Sequence, residues 1–230
     1  MTRRWVLLGL TAAWIGCAGA QRGPDWPDVP DGACRPADDP DARPWLGRGY
    51  DIPVPRIAPR MGTERPRVVV QVFSDFECPF CARAAPIAAQ LVEEYGACVQ
   101  VVWRNRPMPY HEHAALAARA AHEVHRQQGD EGFWRFHDRL FEAETLDRPA
   151  IESAAEAHGG LDMEAFSQAL DTDTHQALVD RDLATMQRVN PEFGTPSFFV
   201  NGHLIHGART LRVFRFEVET ALAELEAATP

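Results

Sequence analysis

The clearest hydrophobic pattern in the chain is a nearly continuous β-branched run at residues 68–73, Val-Val-Val-Gln-Val-Phe. Runs of this kind are typical of strands that are covered on both faces. Apolar positions then recur at helical spacing through residues 79–95, and a second β-branched run follows at 99–103. A strand, a helix and a strand within about 40 residues predict a βαβ unit with parallel strands.

The segment 111–190 carries no strand pattern and predicts a helical subdomain. Alanines dominate residues 114–124, and aromatic residues recur at helical spacing through 133–141. Further helix boundaries are indicated by a proline suited to a first turn, a terminal glycine pair and two candidate N-caps: Pro149, Gly159, Gly160, Asp162 and Thr174.

The chain returns to strand character near its C-terminus. Residues 197–200 are apolar, Asn201-Gly202 is a strong signal for a two-residue hairpin turn, and 203–206 predict the returning strand. A last amphipathic helix is expected after a cap at Thr210. Together these elements predict a mixed α/β domain over residues 67–227, interrupted by helices at about 111–190.

A proline-rich arm precedes this domain. Residues 21–66 hold ten of the chain's 18 prolines and show almost no periodicity. Residues 50–54 alternate and are expected to add an edge strand, where proline is tolerated.

The N-terminus predicts export. Arg3 and Arg4 precede an apolar run at 5–15, which is too short to span a bilayer. A small-x-small site at 18–20 would make residues 1–20 a cleaved signal peptide. Alternatively, Ile15-Gly16-Cys17 resembles a bacterial lipoprotein box, which would end the signal at 16 and lipidate Cys17. Both outcomes stay open.

The charge balance narrows the partners. A net charge of −10 and a pI near 5.3 argue against a nucleic-acid surface, because phosphate binding needs clustered Lys and Arg. Membrane contact is expected only through a lipid on Cys17.

Four cysteines remain once Cys17 is lipidated or removed, and an even count suits an exported chain. Cys78 and Cys81 would pair with each other if they pair locally. That leaves Cys34 and Cys98 either as a structural bridge or as two unpaired thiols, which the sequence does not decide.

Cys78 and Cys81 form a C-x-x-C motif between a buried strand and a helix start. Unpaired backbone N–H groups and the helix dipole stabilise a thiolate there, and Pro79 suits the first helical position. We expect a redox-active disulfide with Cys78 as the nucleophile and Cys81 as the resolving thiol, and no further cofactor.

A metal site is the competing interpretation. Half of a zinc site also reads C-x-x-C, but Cys34 and Cys98 are too isolated to supply the other half. Several histidines fall at helical spacings, and packing or capping is the expectation for them: His111, His113, His122, His125 and His137. No metal is expected.

Several segments resemble DsbA-like proteins of the thioredoxin superfamily. They are Phe-Ser-Asp-Phe-Glu-Cys-Pro-Phe-Cys at 73–81, the kinking Pro86, Arg-Asn-Arg-Pro-Met-Pro-Tyr-His at 104–111, Phe-Trp-Arg-Phe-His-Asp at 133–138 and Gly-Thr-Pro-Ser-Phe-Phe-Val-Asn-Gly at 194–202. The resemblance runs from about residue 67 to the C-terminus. It implies a thioredoxin-like α/β fold with an inserted helical subdomain.

The resemblance also implies a cis peptide bond at Thr195-Pro196, packed against the two thiols and beside a substrate-binding edge. Pro79 and Phe80 would tune the redox potential. Many relatives have an acidic residue six positions before the first cysteine, where it relays a proton to the buried thiol, but here that position is Val72. The proton of Cys81 must then travel by water, Asp75, Glu77 or another group.

The function expected from these features is that of an exported dithiol oxidant of protein thiols, recycled by a redox partner that the sequence does not identify. A reductase or isomerase of envelope proteins is the alternative of the same class. A binding lipoprotein that uses a thioredoxin fold without catalysis is the alternative of a different class.

Overall fold

The computed structural model of the protein describes Cys34 and residues 49–228. Both predicted signal segments, 1–20 and 1–16, lie outside the described residues, as do Cys17 and most of the proline-rich arm. Within the described part of the chain, no helix has the length and apolar character needed to cross a bilayer.

Five strands and seven helices make up the described part of the chain. In chain order they are β1 (Arg60–Gly62), β2 (Val68–Ser74), α1 (Pro79–Ala84), α2 (Pro86–Tyr95), β3 (Val99–Asn105), α3 (Ala114–Glu142), α4 (Arg148–His158), α5 (Met163–Asp171), α6 (Gln176–Val189), β4 (Ser197–Val200), β5 (His203–His206) and α7 (Leu211–Ala227).

The strands form one sheet in the order β1-β3-β2-β4-β5. β2 pairs in parallel with β3, as the predicted βαβ unit requires, and the other neighbours are antiparallel. Asn201 and Gly202 both have positive φ, 46° and 89°, and form the tight turn between β4 and β5. The mixed α/β fold with a helical insertion is confirmed.

The central strand β2 is buried along its whole length, as its β-branched run predicts. Val68, Val70 and Val72 face the main core, which α2, α3 and α7 also enter. Val69 and Phe73 belong to two smaller clusters on the opposite face. A strand covered on both sides fixes where its C-terminal end lies, and the candidate site begins at that end.

Proline and glycine divide the predicted helices. Helix 79–95 is split at Ala85, because Pro86 has no N–H to continue the hydrogen-bond ladder. The alanine-rich and aromatic segments of the insertion join into α3, which breaks at Gly129 with φ 67°. Asp162 caps α5 by accepting from Ala165 N, as expected.

Two predicted features are wrong, the edge strand at 50–54 and the helix cap at Thr174. Residues 50–54 form no strand, since the prolines around Ile52 withhold donors, and the edge strand is instead β1, inside the segment predicted to be arm. Ile52 is buried beside Phe73 and Phe199. Helix α6 is capped at His175 rather than at Thr174, whose backbone N–H still donates to the Ala169 carbonyl of α5.

A buried ion pair fastens the helical insertion to the sheet. Arg104, at the end of β3, donates to Asp182 of α6 over 2.9 Å, and both side chains are almost fully buried. The second Asp182 oxygen accepts from the backbone and side-chain amides of Asn105. Because every charge in this cluster has a partner, its main effect is to fix the position of α6.

Cys34 and Cys98 form a disulfide, with Cα atoms 5.1 Å apart. Cys98 directly precedes β3 and is fully buried, and Cys34 packs against the main core. The bridge ties a residue of the predicted arm to the sheet. It closes a loop of 64 residues, which restricts the unfolded chain considerably.

Replacing both cysteines, Cys34→Ser with Cys98→Ser, is expected to lower the free energy of unfolding by about 2–4 kcal/mol, because the unfolded chain regains the entropy of the open loop. Urea unfolding of the oxidised protein measures this. The matched control is Cys78→Ser with Cys81→Ser, which opens a much shorter loop and so returns less entropy to the unfolded chain. Equal losses in the two variants would contradict the loop argument.

Candidate active site

Cys78 stands at the junction between the sheet and α1. It follows β2 by four residues and is the N-cap of α1, with extended backbone angles of φ −78° and ψ 118°. Its carbonyl accepts from Ala82 N at 3.1 Å, which closes the first turn, and Pro79 occupies the first helical position. The Cys78 thiol therefore lies where unpaired helix N–H groups converge.

The first helical turn brings Cys81 beside Cys78, and both are free thiols in this structure. The Cys81 thiol donates a hydrogen bond that lowers the pKa of Cys78 to about 5. The Thr195 hydroxyl and the backbone N–H groups of Cys81 and Phe80 act in the same direction, and burial opposes them. At pH 7 the Cys78 side chain is therefore mainly a thiolate.

Cys81 has the opposite character. Its side chain is only 1% exposed, and burial raises its pKa far above the ordinary value for a thiol. The hydrogen bond to Cys78 and the charge on Cys78 raise it further, whereas the Ser74 hydroxyl lowers it slightly. One thiol is thus a stable thiolate and its neighbour keeps its proton.

The Thr195-Pro196 peptide bond is cis, and it lies beside the thiol pair. Antiparallel pairing of β2 with β4 aligns Phe73 with Ser197 and so brings the preceding loop to the end of β2. The Cys78 Sγ lies 3.5 Å from the Thr195 carbonyl oxygen, and Pro196 borders a cavity behind Cys81. The structure thus brings together the four residues that the resemblance predicts to be neighbours, which are Cys78, Cys81, Thr195 and Pro196.

Asp75 and Glu77 are held by hydrogen bonds from the chain. Asp75 is buried, and its two carboxylate oxygens accept from Glu77 N, from Met108 N and from His111 Nδ1. Glu77 accepts from His113 N at 2.6 Å. These carboxylates shape the loop before α1 and join it to the start of the helical insertion. Neither is directed to Cys81 by any of these bonds.

An open cleft adjoins Cys78 on the side of the helical insertion. His111, His113 and the loop 143–146 line it together with Cys78 and Pro79. Phe80 is 52% exposed, and the Arg83 guanidinium lies 4.5 Å from its ring centroid. Cys78 itself is only 5% exposed, so Pro79 and Phe80 form the exposed surface beside the thiol.

Nothing in the sequence indicated that His137 lies beside the thiol pair. This buried side chain of α3 lines the small cavity behind Cys81, together with Val72 and Ser74. Its only sequence signal was membership of an aromatic helical segment, which indicates packing rather than chemistry.

The five histidines considered as metal ligands fall in three places: His111 and His113 line the cleft beside Cys78, His122 and His125 lie near each other in α3, and His137 borders the cavity behind Cys81. In the described part of the chain, no three His, Cys, Asp or Glu side chains are grouped as they would be around a metal ion. His122 is fully buried against Asn105, and burial lowers its pKa to about 3. His125 pairs with Asp130 near the break in α3.

Comparison with known proteins places this geometry in a family. The profile described as Thioredoxin matches residues 57–219, well over half of the chain and all of the site. The chain belongs to the thioredoxin family. Within this family the protein is DsbA-like, because it carries the helical insertion between β3 and β4.

Solved structures of this class superpose on the chain. BdbD from Bacillus subtilis, in its oxidised form, is 26% identical with a TM-score of 0.60, and the match covers 74% of this chain and 93% of BdbD. The catalytic domain of ScsC from Proteus mirabilis is 26% identical with a TM-score of 0.62, covering 72% and 89%. The thiol–disulfide exchange protein α-DsbA2 from Wolbachia pipientis, at 20% identity and a TM-score of 0.63, supports the fold alone.

Curated relatives carry a different name. The Na⁺/H⁺ antiporter NhaA 3 of Salinispora tropica is 34% identical over 179 residues, and NhaA of Herminiimonas arsenicoxydans is 31% identical over 194. These matches cover 75% and 81% of this chain but only 26% and 29% of the antiporters. The chain thus spans about a quarter of their length, and ion transport is not transferred to it.

The reduced thioredoxin-family protein should gain stability as the pH rises from about 5 to about 9. In this window Cys78 is ionised in the folded state, with its pKa near 5, and protonated in the unfolded state, where the ordinary value is 9.0. The unfolded state binds more protons, so stability rises by at most about 1.4 kcal/mol per pH unit and is lost as the pH falls towards 5. Urea unfolding against pH, relative to reduced Cys78→Ser, measures the difference. A flat difference would contradict the lowered pKa.

Thr195→Val should raise the pKa of Cys78, because the variant keeps the β-branched shape but loses the hydroxyl that stabilises the thiolate. The ultraviolet absorbance of the thiolate, titrated in the reduced protein, gives the midpoint directly. Thr210→Val, at the exposed start of α7, is the matched control and should leave the midpoint unchanged. An unchanged midpoint in Thr195→Val would show that the hydroxyl does not act on Cys78.

Proposed function

We propose that the protein is an exported thiol–disulfide oxidoreductase that exchanges disulfides with other proteins through Cys78 and Cys81, mainly as an oxidant. The observation that carries this proposal is the opposite displacement of two neighbouring thiol pKa values. Cys78 is lowered to about 5, while burial raises Cys81. A pair with one ready thiolate and one retained proton suits exchange through a mixed disulfide.

The oxidising cycle starts from the Cys78–Cys81 disulfide. A substrate thiolate attacks the Cys78 sulfur, the Cys78–Cys81 bond breaks, and its electron pair leaves on Cys81, which takes up a proton. A second substrate thiolate then attacks the substrate sulfur of the mixed disulfide. The substrate gains a disulfide, Cys78 leaves as a thiolate, and the pair ends with two more electrons.

The direction of exchange follows from the stability of the reduced form. A strongly stabilised thiolate makes the reduced pair favourable, so its disulfide accepts electrons readily. Strong oxidants of this superfamily have potentials of about −120 mV, against about −270 mV for thioredoxin. The low pKa of Cys78 supports a potential on the oxidising side of thioredoxin.

Substrate contact is assigned to the loop before β4 and to the exposed tip of α1. The Thr195 carbonyl lies next to the Cys78 sulfur, and an extended polypeptide could pair with the backbone there. Pro79 and Phe80 are exposed and would contact the same chain. The proposed partners are thus protein thiols and disulfides without a fixed sequence.

Export is supported by two independent features. Arg3 and Arg4 with the apolar run after them form an export signal, whether it ends in a cleaved peptide or in a lipidated Cys17. The Cys34–Cys98 disulfide suits an oxidising compartment. We place the protein in the periplasm or cell envelope, where a separate redox partner would reoxidise the thiol pair.

Oxidation of a reduced, unfolded protein substrate tests the function. Wild-type protein should restore disulfides at a substantial rate, and Cys78→Ser should reduce that rate to the uncatalysed background. Cys81→Ser holds no disulfide to pass on, so it is tested with a substrate that keeps its own disulfides. Its Cys78 thiolate should attack the substrate S–S bond, one substrate sulfur should leave as a thiolate, and the mixed disulfide should accumulate as a covalent adduct on a non-reducing gel. Cys34→Ser with Cys98→Ser is the matched control and should retain exchange.

Equilibration of the thiol pair with glutathione then tests the direction. We expect a reduction potential clearly more oxidising than that of thioredoxin. A reduction potential of about −270 mV would identify a reductase instead. A binding module would be favoured if the wild type showed no turnover and the Cys78→Ser variant still bound the partner proteins.

A further inference from the structure

The thiol of Cys81 is sealed from solvent, yet it must change its protonation state in every cycle. It is 1% exposed, and Val72 lines the space behind it where an acidic side chain could otherwise exchange the proton. The carboxylates of Asp75 and Glu77 accept from backbone N–H groups, and neither residue lines the cavity behind Cys81. The proton therefore needs another route.

The cavity behind Cys81 is almost entirely apolar. Of the described residues that line it, Cys81 and His137 alone are titratable. Ser74 adds a hydroxyl in contact with Cys81, and the Trp134 indole N–H is already donated to the Arg60 carbonyl at 2.8 Å. His137 is thus the group in this cavity that can accept a proton.

His137 also borders a second, open groove between α2 and the C-terminal half of α3. Its Nδ1 atom lies 2.8 Å from the Asp138 carboxylate, whose side chain is 70% exposed at that groove. Since Nδ1–H donates to Asp138, Nε2 carries the free lone pair. The histidine therefore lies between the thiol cavity and solvent.

We propose that His137 is the proton-transfer residue for Cys81, held in position by Asp138 and acting across the cavity behind the thiol pair. This role rests on the exchange function proposed above. During reoxidation, the Cys78 thiolate attacks a partner disulfide, the partner's S–S bond breaks, and one partner sulfur leaves as a thiolate while the other stays bound to Cys78 in a mixed disulfide. Cys81 then gives its proton to Nε2 of His137, attacks the Cys78 sulfur, and the partner leaves as a thiolate. When substrate is oxidised, Cys81 leaves as a thiolate and recovers the proton by the same route.

The surroundings of His137 favour a neutral base. Aromatic rings of Phe76, Trp103, Trp134 and Phe141 lie within 6 Å of its ring. Burial lowers its pKa, and the Asp138 carboxylate opposes that shift. The other titratable groups facing it are Cys81 from α1, Glu93 from α2 and Glu142 from α3, while β2 and β3 contribute none to the cavity.

The two steps of reaction with oxidised glutathione separate this role from the rest of the chemistry. The first step, attack by Cys78, depends on glutathione concentration, whereas ring closure by Cys81 is unimolecular. Rapid acid quenching and mass spectrometry resolve the Cys78–glutathione adduct. In His137→Phe we expect ring closure to slow about 100-fold or more, with the first step unchanged.

The pH profile supplies the readout that a packing defect would not give. In wild type, the closure rate should rise as His137 loses its proton, below pH 6.5, and then level off; in His137→Phe this plateau should vanish and the rate should rise continuously with pH. Asp138→Asn should slow ring closure by an amount between those of wild type and His137→Phe. His158→Phe is the matched control, because His158 packs on Phe136 without lining the cavity.

Each outcome decides between the two proposals. A wild type that forms no Cys78 adduct overturns the exchange function itself. A wild type and a His137→Phe variant with equal closure rates and equal pH profiles overturn the role of His137 alone. If His137→Phe does not fold, ¹⁵N spectra of the wild-type ring decide. We expect the Nδ1–H tautomer and a shift at Nε2 between the oxidised and reduced pair, and an unchanged ring would overturn the role.

Discussion

The hydrogen bond between the two thiols is the interaction on which the rest of the site depends. It stabilises the Cys78 thiolate and at the same time fastens the proton to Cys81, so one contact displaces two pKa values in opposite directions. The helix start and the Thr195 hydroxyl add to the first effect, and burial is the larger cause of the second. The two cysteines differ in pKa because Cys81 is buried away from solvent, whereas Cys78 lies at a helix N-terminus.

The sheet keeps this contact in place. β2 is covered on both faces, which fixes the point where the chain turns into α1. Pairing of Phe73 with Ser197 then aligns β4 so that the Thr195-Pro196 loop meets the thiols without a long connection. The helical insertion is fastened separately, by Arg104 and Asp182, to the end of β3. Three segments that are distant in sequence thus converge on one end of the sheet.

Local signals explain what the sequence could predict. The β-branched run of β2, the kink at Pro86 and the Asn201-Gly202 turn each depend on a few adjacent residues, so they are visible without the fold. Strand β1 was missed because its three residues become a strand only by pairing with β3. Likewise, position 137 carries an aromatic helical pattern, and only the packing of α3 against the sheet brings it to the cavity beside Cys81.

Electrons and protons leave the thiol pair on different sides. Cys78 adjoins an open cleft and the Thr195 carbonyl, so a protein substrate approaches from the outer face. The Cys81 proton has no exit on that face, because a bound substrate covers the thiol that lies between it and solvent. A route through the rear cavity stays usable while the mixed disulfide exists, since it opens into a groove beside Asp138 rather than into the substrate cleft. An apolar residue at position 72 is therefore compatible with rapid exchange, provided that a residue of the helical insertion, rather than one of β2, accepts the proton.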